Sequence, residues 1–312
     1  MKPRLTVITG CTACGKSSLG VELARRVGGE IVSLDSMKVY RRMDIGTAKP
    51  SSEVRREVPH HLIDVVEPWE EFSAAKYVTL ADEAIQGVRG RGREVLVVGG
   101  TPLYLKALIE GMFEGPSADP DVRSRLHEAA RTEGAAKLHV RLLGMDPEAA
   151  ERIHPNDVRR IVRAIEVYEL TGKPISHLQE QWDRERTRYD VRIVGLRRSR
   201  EDQGRRINER VHRMIDAGLV DEVRTLLAEP HPLSSTARKA LGYAEIIEHL
   251  AGGRGFDEAV ERIKINTRQF AKSQRTWLRR FTSAAWIELE AGAEVDKVAD
   301  EVMTLLEDAW SH

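Results

Sequence analysis

The feature that most constrains this chain is a strand, a glycine loop and a helix in immediate succession at its start. Residues 5–9 read LTVIT, residues 10–18 read GCTACGKSS, and Leu19, Leu23 and Val27 follow at helical spacing. Gly10, Gly15, Lys16 and Ser17 fit G-x-x-x-x-G-K-[ST], and a strand before and a helix after are the context that makes this pattern a phosphate loop. Backbone N–H groups along Gly10, Cys11, Thr12, Ala13, Cys14 and Gly15 would turn onto phosphate oxygens. Lys16 adds a mobile positive charge, Ser17 can ligate Mg2+, and the helix N-terminus adds its dipole. The same segment also reads C-x-x-C, through the only two cysteines in the chain. A structural zinc site normally takes four Cys or His ligands, so phosphate is the reading that fits the segment. A disulfide between the two thiols would be expected to distort the loop.

The rest of the chain continues the pattern. Residues 30–34 form a second strand-like run that stops at Asp35-Ser36. Residues 94–98 (EVLVV) form a third, stopping at Gly99-Gly100-Thr101 before the helix-like LYLKALIEGM. Residues 190–196 (DVRIVGL) read as a further core strand, and residues 286–289 as a candidate last one. Strands alternating with helices predict an α/β fold: a P-loop-type, mainly parallel sheet flanked by helices. Ligands of such sheets gather at the carboxyl ends of the strands, where the loop, Asp35 and Thr101 all fall. The stretch from about 115 to 188 opens with GPSADPD and then reads as all helix. The expected organisation is a first part of the core at 1–114, an all-helical insertion at 115–188, and a return to the core with C-terminal helices at 189–312.

Composition excludes several classes. No run approaches the roughly 20 apolar residues of a membrane span. The N-terminal MKPRLTVITG goes directly into a strand and leaves no room for a signal peptide, so a cytoplasmic protein without a membrane partner is expected. Lys plus Arg equals Asp plus Glu at 49 each, so only the distribution of charge can speak about nucleic acid.

P-loop proteins are typically nucleotide-binding, with ATP a common ligand. A phosphoryl-transferring member usually also has an apolar strand ending in Asp to help hold Mg2+. The best candidate here, EVLVV, ends in Gly99-Gly100 instead. The loop therefore suits a diphosphate that leaves whole better than a triphosphate that donates its end.

Several longer motifs carry a family resemblance: SLDSMKVYRRMDIGTAKP (33–50), HHLIDVVEP (60–68), VVGGTPLYLKAL (97–108), RIHPNDVRRIVRAIEVYELTGKPIS (152–176), ALGYAEI (240–246) and TRQFAKSQRTWLRR (267–280). With the loop, they resemble the tRNA dimethylallyltransferases, the bacterial isopentenyl-tRNA transferase family, over nearly the whole chain. The resemblance implies transfer of a dimethylallyl group from dimethylallyl diphosphate to the exocyclic N6 of an adenosine beside the anticodon, with pyrophosphate released. An aromatic amine is a poor nucleophile, and a nearby carboxylate can orient it and accept its proton. Asp35, at a strand end beside the loop, is the expected base; a turn or N-cap role is its bland alternative. The resemblance implies Arg210 (in ERVHRM) as an arginine on the departing diphosphate, where developing negative charge needs donors. Thr101 is expected to cap the helix starting at Pro102, to point its hydroxyl at phosphate or amine, or both.

Chemistry on a base's exocyclic amine requires that base out of its stack. Val158, Ile161, Val162 and Ile165 make an apolar stripe with Arg159 and Arg163 on the other side. Val260, Ile263, Thr267, Phe270, Gln274, Trp277 and Phe281 follow one face of a later helix, with Lys264, Arg268, Lys272, Arg275 and Arg279 expected outward. A solvated basic face explains one such helix; two favour a polyanion. By resemblance, the tRNA contacts are Asp35, Ser36, Met37 and Lys38; Thr101 and Arg123; Arg159, Arg160, Ile161, Val162 and Arg163; and Ala240, Leu241, Gly242, Tyr243, Ala244 and Glu245. The implied partner is the tRNA anticodon stem-loop, with Mg2+ as cofactor and no obligate protein partner, hence a monomer. His60 and His61 lack ligand partners at useful spacing and read as loop or pocket residues. The sequence departs from the family's usual residues at Cys11, Cys14, Lys38, Pro102 and Ser273. An adenylate isopentenyltransferase is the nearest alternative, a P-loop kinase of a small metabolite the next, and a non-catalytic RNA-binding module the third.

Overall fold

Every residue of the Glu30–Leu34 and Val95–Gly99 strands is buried, which is why neither shows the strict alternation of a strand with one solvated face. The computed structural model of the chain describes residues 2–112, 115–183 and 187–310. Among them, β1 (Arg4–Gly10), β2 (Glu30–Leu34), β3 (His60–His61), β4 (Val95–Gly99), β5 (Asp190–Arg198) and β6 (Ala285–Leu289) form one sheet in the order β3-β2-β4-β1-β5-β6. Every pairing is parallel, with Val7 opposite both Val97 and Ile193. Consecutive parallel strands need crossovers, and helices supply them.

The strand expectations hold to within one or two residues at their ends, and the 286–289 run is a true sheet edge. The two-residue strand β3 is a correction. His60 and His61 are not loop residues but pair beside Ile31 and Val32. Two residues have no periodicity to read.

Contacts divide the chain into two compact units, Met1–Ile109 with Arg188–His312, and Glu110–Thr187. The limits expected from sequence were 115 and 188; residues 113 and 114 lie outside the described residues. The larger unit holds the sheet with apolar clusters on its two faces. The smaller unit contains helices Pro120–Thr132, Ala135–Met145, Pro147–Arg152, Val158–Thr171 and Ile175–Asp183 around its own core, in which Leu126, Leu142, Ile161 and Ile165 are buried. Local chemistry sets several of these starts: Asp119, Asp146 and Asp157 each cap a helix through a side-chain oxygen. Proline stands in the first turn after Asp119 and Asp146, where its missing N–H costs nothing.

The Phe256–Leu278 helix departs from expectation in register. Its buried line runs Val260, Ile263, Lys264, Ala271, Gln274 and Leu278, while Phe270 is 43% exposed. From position 267 the buried stripe continues through Ala271, a step of four, rather than through Phe270, a step of three; both steps suit a helix, and packing decides between them. Lys264, expected outward, is buried, with its ammonium 2.6 Å from Glu261.

No helix among the described residues is long and apolar enough to cross a membrane.

Candidate functional site

The loop after β1 enters the Lys16–Val27 helix through Gly15, which adopts a left-handed conformation and offers no side-chain cap. The first N–H groups of a helix have no intrahelical acceptor, so this end is suited to an anion. The loop's carbonyl oxygens are held by side chains, one from the motif itself and three from residues remote in sequence. Lys16 Nζ donates to Cys11 O (3.1 Å), Gln203 to Thr12 O (3.0 Å), Arg206 to Ala13 O (2.9 Å) and Arg198 to Cys14 O (3.0 Å). Thr12 N–H donates to Gln274 Oε1 at 2.8 Å, and Gln274 Nε2 donates to Gly100 O at 2.6 Å. Four anchored carbonyls fix the loop's orientation before a ligand arrives, which reduces the ordering cost of binding.

At the end of β2, Asp35 Oδ1 accepts the N–H groups of Met37 (2.9 Å) and Lys38 (3.3 Å). The turn reading and the base reading are therefore compatible. One oxygen fixes the carboxylate, and among the described residues no hydrogen bond occupies the other. Thr101 holds the position expected of a cap, with its hydroxyl used elsewhere. Its hydroxyl accepts the Ser36 N–H at 3.2 Å and its own N–H donates to Leu34 O at 3.3 Å, so it ties the ends of β4 and β2 together. The helix does begin at Pro102, and the Thr101 carbonyl accepts from Leu105.

The absent strand-end carboxylate has a steric reason. A Cβ at Gly99 would stand 2.1 Å from Leu34 O, and one at Gly100 would stand 2.7 Å from Gly10 O. No side chain fits at either position, so the sheet leaves no room there for an Asp.

Charge gathers around Asp35. Burial pushes the Lys38 ammonium down to about 8; Asp35 opposes the fall, and Lys16, Arg210 and Lys49 add to it. Burial also lowers the Arg210 guanidinium, again with Asp35 opposing. Arg210 Nη1 donates to Thr12 Oγ1 at 3.2 Å. One carboxylate thus sits among Lys16, Lys38 and Arg210, leaving a surplus of positive charge beside the loop. Ser17 is exposed at the helix start. Among the described residues no cluster of three His, Cys, Asp or Glu side chains could hold a metal. A lone hydroxyl beside phosphate oxygens is a donor set that fits Mg2+, which keeps several waters and shares substrate phosphates.

Both cysteines are free and buried, Cys11 in the apolar cluster on one face of the sheet and Cys14 in that on the other. Burial pushes the Cys11 thiol up, as does Cys14, against lowering by Gln203, Arg275 and Lys16.

The remaining sequence-expected contacts divide by exposure. Arg159 and Arg160 are exposed, and Arg160 lies 3.4 Å from Asp157. Ile161 and Val162 are 0% and 2% exposed, so their side chains belong to the small unit's core and not to an RNA surface. Arg123 and Arg163 converge on Glu166, which is fully buried: Nε and Nη2 of Arg123 donate at 2.9 and 3.1 Å, and Nη1 of Arg163 at 2.7 Å. Burial acts to raise the Glu166 carboxyl, but these bonds outweigh it and hold it below the usual carboxylate range.

In the 240–245 segment, Ala240, Tyr243 and Glu245 are buried, Gly242 is also enclosed, and Leu241 and Ala244 are half-buried. The Tyr243 hydroxyl donates to Glu222 (2.5 Å), whose carboxylate also receives the N–H groups of Asp44, Ile45 and Gly46. Glu245 accepts the Gly242 N–H at 2.8 Å. Tyr243 thus braces the 44–46 segment through Glu222, while Glu245 is used at the start of its own helix.

Sequence reasoning missed Gln203, Arg206, Arg198, Glu222 and Glu166. Only Arg198, the last residue of a core strand, carried a local signal, its place at a carboxyl strand end.

Comparison with known proteins places this geometry. The IPP transferase family model matches residues 38–281, and the isopentenyl transferase model matches residues 3–66. A tRNA dimethylallyltransferase of Geobacter metallireducens is 49% identical over 302 residues, covering 97% of each chain. One from Desulforudis audaxviator is 50% identical over 288 residues, 92% of this chain and 93% of the other. Among solved structures, the tRNA isopentenylpyrophosphate transferase of Bacillus halodurans superposes with a TM-score of 0.71 at 38% identity, covering 98% of both chains. A eukaryotic dimethylallyltransferase described as acting on tRNA gives 0.76 at 27% identity over 92% of this chain and 74% of the other.

Proposed function

The chain belongs to the IPP transferase family of tRNA dimethylallyltransferases, and from that premise we propose how its residues divide the reaction. The donor is dimethylallyl diphosphate, and the acceptor is the exocyclic N6 of an adenosine next to the anticodon, offered by the anticodon stem-loop. The observation that carries this reading is the meeting of Asp35, Lys16, Lys38 and Arg210 at a phosphate loop with no space for a strand-end carboxylate. That arrangement supports release of an intact diphosphate better than transfer of a terminal phosphoryl group, and the kinase alternative is not favoured.

The N–H groups of residues 13–17 and Lys16 bind the diphosphate, and Arg210 adds its charge from the Thr12 side. As the bond from N6 to the allylic carbon forms and the bond from that carbon to the diphosphate oxygen breaks, negative charge grows on the leaving group, where these donors stand. Asp35, fixed through Oδ1 by its own turn, takes the N6 proton on Oδ2. Thr101 keeps the ends of β2 and β4 together and so holds Asp35 in place. Ser17 would hold Mg2+, which when bound neutralises part of the diphosphate charge. Lys38, Arg159 and Arg160 are the expected contacts to tRNA phosphates, with the 110–187 unit as a tRNA-contacting insertion. The protein acts as a cytoplasmic monomer.

Purified protein with dimethylallyl diphosphate, Mg2+ and unmodified tRNA should release pyrophosphate and modify a single adenosine. ATP hydrolysis with tRNA left unchanged would replace this reading with the kinase.

A further inference from the structure

Between the Arg200–Asp216 and Phe256–Leu278 helices lies a cleft of about 300 Å3. Arg200, Arg268, Lys272 and Arg275 line it, and no carboxylate does. This is unusual in a chain with as many acids as bases, where most arginines are paired with an acid. Among the described residues Arg200 and Lys272 form no ion pair. Arg268 donates only to the neutral amide oxygen of Asn208, and Arg275 only to that of Gln203. Glu261 interacts electrostatically with Arg268 from outside the lining, and four cations around one cleft still leave a positive surplus that attracts a small anion. The floor is different: Ile207 and Ala271 are 1% and 2% exposed and present an apolar base beneath the cationic rim.

The cleft adjoins the phosphate loop but is not part of it. Gln203 lines the cleft and also donates to Thr12 O, so this one buried side chain forms the wall between the two. Arg210, which faces Thr12 from the same helix, does not line the cleft.

We infer that this cleft is a second diphosphate-binding site, distinct from the phosphate loop. Its ligand is a free diphosphate group, either inorganic pyrophosphate or the diphosphate of a small organic molecule such as a nucleotide. A concave site of this volume encloses a diphosphate, whereas an RNA backbone would meet only the exposed rim. Arg268 and Lys272 are exposed and Arg275 is half-buried, so the cleft draws on cations that the sequence placed outward on this helix. The second site does not depend on the transfer chemistry, because it is read by binding alone.

The test is calorimetric titration of the full chain with inorganic pyrophosphate, and separately with ADP, both without tRNA. Two binding events are expected for the unaltered protein. Lys16→Ala should weaken one and leave the other; Arg268→Ala with Lys272→Ala should do the reverse. Each lost charge-assisted contact should weaken the cleft event by about tenfold or more. Tighter binding of ADP than of pyrophosphate at the event that survives Lys16→Ala assigns the site to nucleotides, and the opposite order assigns it to pyrophosphate. A single event that the paired cleft variant leaves unchanged overturns the inference. So does a paired variant whose only effect is weaker tRNA binding. Melting curves of both variants guard against a folding artefact, and Arg268→Lys should restore most of the cleft affinity.

Discussion

Replacing Glu222 by Gln removes a charge but almost no volume, and the structure sets the size of the consequence. The carboxylate receives four donors: Asp44 N–H at 2.9 Å and Ile45 N–H at 2.8 Å on Oε2, and Gly46 N–H at 3.3 Å and the Tyr243 hydroxyl at 2.5 Å on Oε1. A Gln side chain keeps one acceptor oxygen for the Asp44 and Ile45 N–H groups; with its NH2 group on the other side the Tyr243 hydroxyl turns to accept from it, and the Gly46 N–H alone loses its partner. Hydrogen bonds to an ionised acceptor are worth about 1.5–3 kcal/mol each. Glu222 is half-buried, so solvent screening limits the loss of one of them and the weakening of the others to about 1–2 kcal/mol in all. At roughly 2–4 °C per kcal/mol for a domain of this size, the melting temperature should fall by about 3–6 °C. Tyr243→Phe removes one of the four donors, and a double-mutant cycle between the two sites should show coupling of about 0.5–1 kcal/mol. The assay is thermal unfolding followed by circular dichroism, with transfer activity measured alongside at 25 °C. Activity should fall by less than about tenfold, because Asp35 is fixed by its own turn and by Thr101 rather than by this brace. Melting within a degree of the parent, or no coupling with Tyr243, would refute the claim that Glu222 anchors the 44–46 segment.

Asp35→Asn keeps the acceptor of the turn but cannot take a proton, so transfer should slow by about 10²–10⁴ with tRNA affinity nearly unchanged; unaltered single-turnover rates would remove Asp35 from the reaction. Lys38 titrates at about 8 in the folded protein against an ordinary value of 10.5. Between those values the unfolded chain holds the extra proton, so stability rises with pH across that window and the penalty of the buried charge applies below it. Melting temperatures of Lys38→Met and the parent should therefore converge as pH rises from 8 to 10.5, and parallel curves would count against it. The buried thiols of Cys11 and Cys14 should react with a disulfide reagent only as the protein opens. Stoichiometric labelling of native protein within seconds would contradict their placement. Cys11→Ser with Cys14→Ser should retain activity, since neither sulfur is needed by the loop's N–H groups.

Sequence alone determined the features whose causes are local. A glycine loop between a strand and a helix fits a phosphate site at the carboxyl end of a strand, and the Lys16–Val27 helix and the β1, β2, β4 and β5 strands follow from periodicity that needs no partner. Asp35 was legible for the same reason, as the first polar residue after a buried strand. Tertiary structure decided everything that depends on residues about 20 to 260 positions apart. That the loop's carbonyls are held by Gln203, Arg206 and Arg198 is one such fact. That Arg123 and Arg163 converge on a buried Glu166, and that Tyr243 braces a loop through Glu222, are others. The cysteines show the boundary most plainly: their spacing suggested a pair, yet the loop turns one side chain to each face of the sheet. A sequence motif records spacing along the chain, whereas burial and charge pairing depend on which distant segments fill the space around it.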